Sequence, residues 1–399
     1  MARQFVFESL EPRALLATLP EGFFLKTVAS DLAYPTGFLV GSEGRFYVSE
    51  KVSGQIRVVE DGQVQEEPLI DLDVSNEGER GLSGFLIGPP EDHHHHGDSG
   101  SETFLYAYYT VAAEPAFNRL SRFPLDESGK VAGQEQVLLD LPPMGERVNH
   151  HGGGMAWGDD GKLYLAVGDS AQPLLAQDKN SLFGKVLRLN PDGSIPSDNP
   201  FASELQGSYR AIWAMGLRNP FKLRNDPATG GLLIFDVGEK TWEEINLGSP
   251  GANYGWPVHE GPAGQPLYVD PLFAYKHDGP LGGCAVTGGA TYPRGVGQFP
   301  EEYQGSLYVA DFCTGIRQVN RSTGVSSSFV SGTGPIVDFH IGEDGSFYLL
   351  QYFESGQGQN SGAIFSVEVG REEAPTIVSQ PRPQTSGTGG SVQFSVVPS

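Results

Sequence analysis

Sulfur and positive charge are what this 399-residue chain has least of: two Cys, four Met, and 26 Lys plus Arg against 49 Asp plus Glu. The formal charge of -23 repels phosphate backbones and anionic membrane surfaces at long range, which argues against nucleic acid as a partner. Cys284 and Cys313 are the only thiols, and by count alone they admit either a single disulfide or two buried, unpaired side chains. No apolar run is long enough to span a bilayer, and MARQFVFESLEPRALLATLP at the start lacks the uninterrupted apolar stretch of an ordinary secretion signal. Long helix-period stretches are few as well. What is abundant is Gly (54) and Pro (29), so turns and short strands should dominate and the fold class is all-β.

The ends differ from the middle. Within residues 1–20, LEPRALL resembles the LEPRxLL tag found near the N-termini of many surface or exported proteins in certain bacterial lineages, which implies an exported, bacterial protein. Residues 371–399 open as a Pro-rich linker and finish on the alternating VQFSV, like the first strand of a truncated immunoglobulin-like module. Between them, residues 21–370 form the main domain. The insertion DHHHHGDSG at Asp92 could catch a transition metal, but adjacent side chains in an extended loop point apart, so a solvated hairpin is the favoured reading.

A repeat organises the middle. GDDGKLYLAVGD at Gly158 has relatives at Gly41 (GSEGRFYVSE), Glu302 (EYQGSLYVADF) and Gly342 (GEDGSFYLLQYF), with looser copies at Ser101 and Asp226. Each joins a Gly- or acid-rich turn to alternating apolar residues, the pattern of a hairpin. The anchors fall at Phe46, Leu105, Leu163, Leu233, Leu307 and Phe347, spaced widely enough for a four-stranded sheet plus loops. Six such sheets, none able to bury both faces alone, close around an axis as a six-bladed β-propeller. Loops from several blades then converge at one end of the channel, where function is to be sought.

Three loops there carry chemistry. NHHGGG at Asn149 puts His150 and His151 at a strand entrance, with glycines that let backbone approach a ligand. Imidazole is the side chain suited to proton transfer near neutral pH, although a turn histidine facing water is the plainer reading. GLRNP at Gly216 presents Arg218 and Asn219. The loop FDVGEKTWEEINLGSPGANYGWPVHEG offers carbonyls and carboxylates to a hard cation such as calcium, or is simply a solvated acidic loop over packed Trp242, Tyr254 and Trp256.

The ordered motifs YPTGF, GERGLSGF, NHHGGGMAWGDDGKLYLAVGD, GKVLRLNPDGSIPSDNPF, GLRNPF, DVGEKTWEEINL, NYGWP and VTGGATYPRG resemble the glucose/sorbosone dehydrogenases from about Leu32 to Val369. The resemblance implies a six-bladed quinoprotein that oxidises a sugar hydroxyl by hydride transfer to pyrroloquinoline quinone (PQQ). It implies that His150 is the general base, that Arg218 and Asn219 contact the cofactor, and that the carbonyls of Gly238 and Glu239 bind calcium. Glu79 stands where soluble glucose dehydrogenases often carry a glutamine beside the quinone. CAVTGG and DFCTG resemble segments with paired cysteines, which implies a Cys284–Cys313 bridge, and His151 is expected to face solvent.

Several positions depart from the pattern. PQQ is a trianion and needs cationic partners. Where well-characterised members provide a lysine, Cys313 and Thr314 stand here. Where they provide arginines, there are Pro335 and Val337, and Gly154 takes the place of a frequent arginine or glutamine. Arg317, Lys240 and Lys276 are the candidates to compensate. The leading expectation is therefore an exported PQQ- and calcium-dependent aldose dehydrogenase with a small-molecule sugar substrate and a separate electron acceptor. The alternative is a non-catalytic propeller binding a glycan or protein at the channel mouth. A calcium-dependent lactonase fits the WEEINL and GLRNP segments poorly.

Overall fold

A computed structural model describes residues 17–41, 44–89, 102–342, 344–353 and 361–370, together with the short strands Ile377–Ser379 and Val397–Pro398. LEPRALL, the four-histidine insertion and VQFSV lie outside the described residues. The two C-terminal strands pair with each other and with nothing else, so no immunoglobulin-like sheet is shown.

Six antiparallel sheets form a β-propeller. The innermost strands are Pro35–Val40, Leu82–Gly88, Gly152–Trp157, Pro220–Asp226, Val286–Thr291 and Ile336–Ile341, one each for blades 1 to 6. Each packs against the innermost strand of the next blade, and blade 6 returns to blade 1, which closes the ring. The ring is latched by the chain's own start. Phe23–Leu32 pairs with Gly362–Val369 as the outer strand of blade 6, whose other three strands come from the far end of the sequence.

All six repeat anchors sit within the first three residues of a blade's second strand, at most 3 % exposed. The reason is visible in the hairpin of blade 3. Gly158 N donates to Lys162 O at 2.9 Å, Asp160 Oδ1 accepts Lys162 N at 3.0 Å, and Gly161 takes the left-handed conformation at φ 68° that a side chain would disfavour. The turn thereby aims Leu163 into the apolar layer between blades. Between blades 5 and 6 that layer is aromatic, with Phe339 and Phe347 stacked at 5.2 Å and Tyr308 edge-on to Phe347 at 5.3 Å. Burying each such ring stabilises the fold by roughly 1.5–3 kcal/mol.

Candidate functional site

The candidate residues cluster where each blade's second strand ends and its innermost strand begins. A recurring device fixes this edge: a buried polar side chain at the end of the second strand holds the loop that leads into the first. In blade 1, Glu50 Oε1 accepts Ala33 N at 2.7 Å. In blade 4, Asp236 accepts Arg218 N at 3.0 Å and Asn219 N at 2.7 Å. In blade 5, Asp311 Oδ2 accepts Cys284 N at 3.0 Å.

Blade 3 uses the same position differently. Asp169 is fully buried, and its Oδ1 lies 2.8 Å from His150 Nδ1, so an imidazole replaces the backbone amide. The same oxygen accepts Ala171 N at 2.8 Å, while Oδ2 accepts Trp256 Nε1 at 2.8 Å. A carboxylate offers only acceptors, so Nδ1 carries a proton, and in the neutral imidazole Nε2 is the nitrogen with the lone pair. Among the described residues, Nε2 has no hydrogen-bonding partner.

The backbone around this pair is strained. His150, Ser170 and Ala171 adopt left-handed φ values of 58°, 51° and 51°, which side chains rarely take without compensation. Compensation comes from outside the blade. Glu79 Oε2 accepts His150 N at 2.7 Å, and Asn219 Oδ1 accepts Gly152 N at 3.0 Å. Glu79 therefore holds the histidine's backbone. Asn219 spends its carbonyl on the same loop and keeps Nδ2 without a partner among the described residues.

His151 does not face solvent as expected. It is 2 % exposed, with Nδ1 3.5 Å from Asn118 Nδ2, and Asn118 is itself bonded to Tyr108. The left-handed turn at His150 sends consecutive side chains to opposite sides, one to the mouth and the next into the blade 2 interface. Burial pushes the His151 imidazole down to about 4, with the charges of Arg80 and Lys51 adding to the effect.

Arg218 stands beside the dyad. Its guanidinium lies 5.6 Å from the Trp256 ring centre, Nη1 donates to Val237 O at 3.1 Å, and the buried Nε has no partner. The next two carbonyls, of Gly238 and Glu239, accept no hydrogen bond from any described residue. That short loop is clamped from below: Glu260 Oε1 accepts the amides of Glu239, Lys240, Thr241 and Trp242 at 2.8, 2.8, 3.0 and 3.2 Å. A side chain at Gly238 would meet Trp242 O at 1.6 Å, so only glycine lets the loop fold this tightly. Two bare carbonyls on a rigid turn suit a hard, oxygen-seeking cation.

Cys284 and Cys313 form the disulfide, with Cα atoms 5.8 Å apart, and Asp311 Oδ1 accepts Cys313 N at 3.0 Å. The cations proposed to compensate for missing charge are engaged elsewhere. Arg317 is 3 % exposed, lies over Tyr275 at 3.6 Å and donates to Gly282 O at 3.0 Å. Lys240 pairs with Glu239 at 3.1 Å, and Lys276 sits over Trp242 at 5.1 Å. Val337 is buried in the core, where a charge would be costly.

Sequence reasoning missed Asp169, Trp256 and Glu260. The acidic residue at the end of four of the six second strands, in YVSE, AVGD, IFDV and VADF, was the signal available for Asp169. Trp256 stands in NYGWP, where the sequence reads it as a packed ring, and no pattern marks Glu260; both come from the irregular stretch between strands Trp242–Leu247 and Phe273–Lys276.

Comparison with known proteins now decides the lineage. Residues 32–365 match the family model Glucose / Sorbosone dehydrogenase. The chain belongs to that family. Quinoprotein glucose dehydrogenase B of Acinetobacter calcoaceticus is 31% identical over 279 residues, 62% of this chain and 55% of that one. Aldose sugar dehydrogenase YliI of Escherichia coli is 30% identical over 213 residues, 51% and 54% of the two chains. Both alignments thus span just over half of the relative's length. The PQQ-bound aldose sugar dehydrogenase of Streptomyces coelicolor superposes with a TM-score of 0.68 at 26% identity, covering 88% of this chain and all of that one.

Proposed function

We propose that this glucose/sorbosone dehydrogenase family member oxidises a sugar hydroxyl with pyrroloquinoline quinone as cofactor and calcium as its metal. One observation carries the reading: the His150–Asp169 pair at 2.8 Å, which selects the tautomer of the neutral ring with its lone pair on Nε2, a nitrogen without a partner among the described residues. Asp169 fixes the tautomer and ring orientation, and Glu79 fixes the backbone that bears the ring. His150 Nε2 then takes the hydroxyl proton, and Asp169 stabilises the imidazolium that results. The quinone, when bound, supplies the acceptor for hydride. Arg218, with a buried unpaired Nε, and Asn219 Nδ2 would hold it. The bare carbonyls of Gly238 and Glu239 would hold calcium.

The donor set fits the group, and the counter-charge is thin. Lys51 and Arg80 border the histidine pair closely enough to depress His151, but Lys51 already donates to Gly78 O and Arg80 to Gly145 O and Arg147 O. Each absent charge-assisted contact lowers affinity by about 1.5–3 kcal/mol, so weak cofactor binding is expected. The disulfide supports an extracytoplasmic setting. Among the described residues, no helix is long and apolar enough to cross a membrane.

The missing cations at Cys313, Thr314, Pro335 and Val337 favour a second reading, a propeller that binds a glycan or protein without catalysis. Reconstitution with quinone and calcium separates the two. Dye reduction with an aldose panel, together with a cofactor-dependent rise in melting temperature, supports the enzyme. Absence of both abandons it.

A further inference from the structure

The third residues of the six innermost strands are Gly37, Gly84, Gly154, Lys222, Gly288 and Asp338. Alternation along a strand sends this position toward the channel, because the residues on either side, such as Phe38, Leu223 and Phe339, belong to the cores between blades. At this level the channel is thus walled by four glycines and crossed by one ion pair. Lys222 starts from blade 4, and its ammonium donates at 2.8 Å to the carbonyl of Thr36 in blade 1, on the opposite side of the ring. It also meets Asp338 Oδ2 of blade 6 at 3.1 Å, and Asp338 Oδ1 accepts Arg224 Nη2 at 2.7 Å. Gly37 makes room for the ammonium, since a Cβ there would meet Lys222 Nζ at 2.7 Å, whereas a Cβ on Gly84 or Gly154 would meet the next blade's backbone, Gly153 O at 1.9 Å or Lys222 Cα at 2.7 Å, so these two let the innermost strands close up.

Charge in this layer does not balance. Lys222 is 6 % exposed and Asp338 1 %, and two cations share one carboxylate. The other titratable neighbour, His340, is pushed down to about 4 by burial and then by Arg224, so it is neutral near pH 7. Burial also lowers Lys222, although Asp338 opposes this. An ammonium has three donors, and only two of those on Lys222 have acceptors among the described residues. A cavity of about 20 Å³, enough for one small atom or water, opens beside Lys222, Arg224, Asp338, Ser49 and the glycines of the first three blades.

We propose that this cavity in the axial channel binds one compact monovalent anion, a halide or a small carboxylate, beside the Lys222 ammonium and the Arg224 guanidinium that Asp338 bridges. The anion takes the third ammonium proton as a hydrogen bond and neutralises the surplus charge. The space is atom-sized, so a halide fits as it stands and formate, with three heavy atoms, enters only if the lining side chains shift. This site is independent of the sugar chemistry proposed above.

Diffraction from a crystal of the whole protein soaked in sodium bromide tests it directly. An anomalous peak in the channel within hydrogen-bonding distance of Lys222 Nζ is expected, and its absence overturns the proposal. Thermal unfolding of halide-free protein separates the sources. Bromide and formate are each titrated against sodium sulfate at equal ionic strength, in the native protein and in Lys222→Met. A saturable rise of a few degrees with bromide alone identifies a halide site, and a rise with formate as well identifies a site that admits carboxylates. An equal response in Lys222→Met, or to sulfate, refutes both. Should Lys222→Met fail to fold, the crystal result decides.

Discussion

Replacing Asp169 with asparagine changes one atom and no volume, yet the carboxylate receives three donors: His150 Nδ1, Ala171 N and Trp256 Nε1, all at 2.8 Å. An amide has one acceptor end and one donor end, so both arrangements lose. If the carbonyl stays toward His150 and Ala171, the new NH₂ faces the Trp256 N–H and leaves a buried indole donor unpaired. If the amide flips, NH₂ faces Ala171 N–H, and His150 must turn its lone pair to Nδ1 and carry its proton on Nε2. Each outcome leaves one or two buried donors unsatisfied, at about 1–3 kcal/mol apiece, so Asp169→Asn should destabilise the fold by about 2–4 kcal/mol. The flipped form also removes the base, and proton-transfer catalysis typically contributes about 10²–10⁴-fold. Urea unfolding reads the first effect, and nitrogen chemical shifts of the His150 ring read the tautomer without any cofactor. Reconstituted turnover reads the third. Unchanged stability, with His150 still protonated at Nδ1 and turnover intact, would refute the role given to Asp169.

Glu260→Gln should shrink the calcium-dependent rise in melting temperature, because four amides lose an anionic acceptor and the carbonyls of Gly238 and Glu239 lose their fixed direction. Terbium luminescence sensitised by Trp242 measures the same loss, and undiminished binding counts against the clamp. Burial acts to raise the Glu260 carboxyl, but the four N–H donors outweigh it and hold the group low, so its contribution is complete above its unfolded value and fades as pH falls through the folded one. His151 and His340 have the opposite chemistry and the same direction. Burial pushes both down to about 4, so the unfolded chain binds protons that the folded chain refuses, and stability drops by about 3 kcal/mol each between pH 6.5 and 4. His151→Gln should flatten that slope in denaturant titrations, and a profile parallel to the native one would contradict the assignment. The disulfide closes a separation of 29 residues, so Cys284→Ser with Cys313→Ser should cost about 3 kcal/mol in urea, and added reductant should do the same to the native chain.

The propeller was legible because its signal is local and repeated. Every blade needs a tight turn followed by an apolar second strand, and both leave marks within a dozen residues, from Phe46 to Phe347. The latch of Phe23–Leu32 onto Gly362–Val369 joins segments more than 300 residues apart and carries no such mark, so the sequence does not announce it. The site followed the same divide. His150, Arg218 and Asn219 stand in motifs whose chemistry is legible, whereas Trp256 in NYGWP reads as a core ring and Glu260 reaches its partners from a loop without period.

His151 shows why adjacency misleads. Two identical side chains one residue apart end in opposite environments, because a left-handed φ of 58° at His150 is compatible with only one of them reaching the mouth. The same reasoning applies to charge. Counting cations in the sequence treats Arg317, Lys240 and Lys276 as equivalent to a lysine at the mouth, but each is drawn to a nearer aromatic ring, carbonyl or carboxylate. Lys222, which the count passed over, is the cation that reaches the axis, and Gly37 leaves the space that its ammonium fills. What the fold places at its centre is therefore decided as much by residues without side chains as by the charged ones. Gly37→Ala is the sharpest expression of that dependence, since its methyl would occupy the space of Lys222 Nζ and expel the ammonium from the channel.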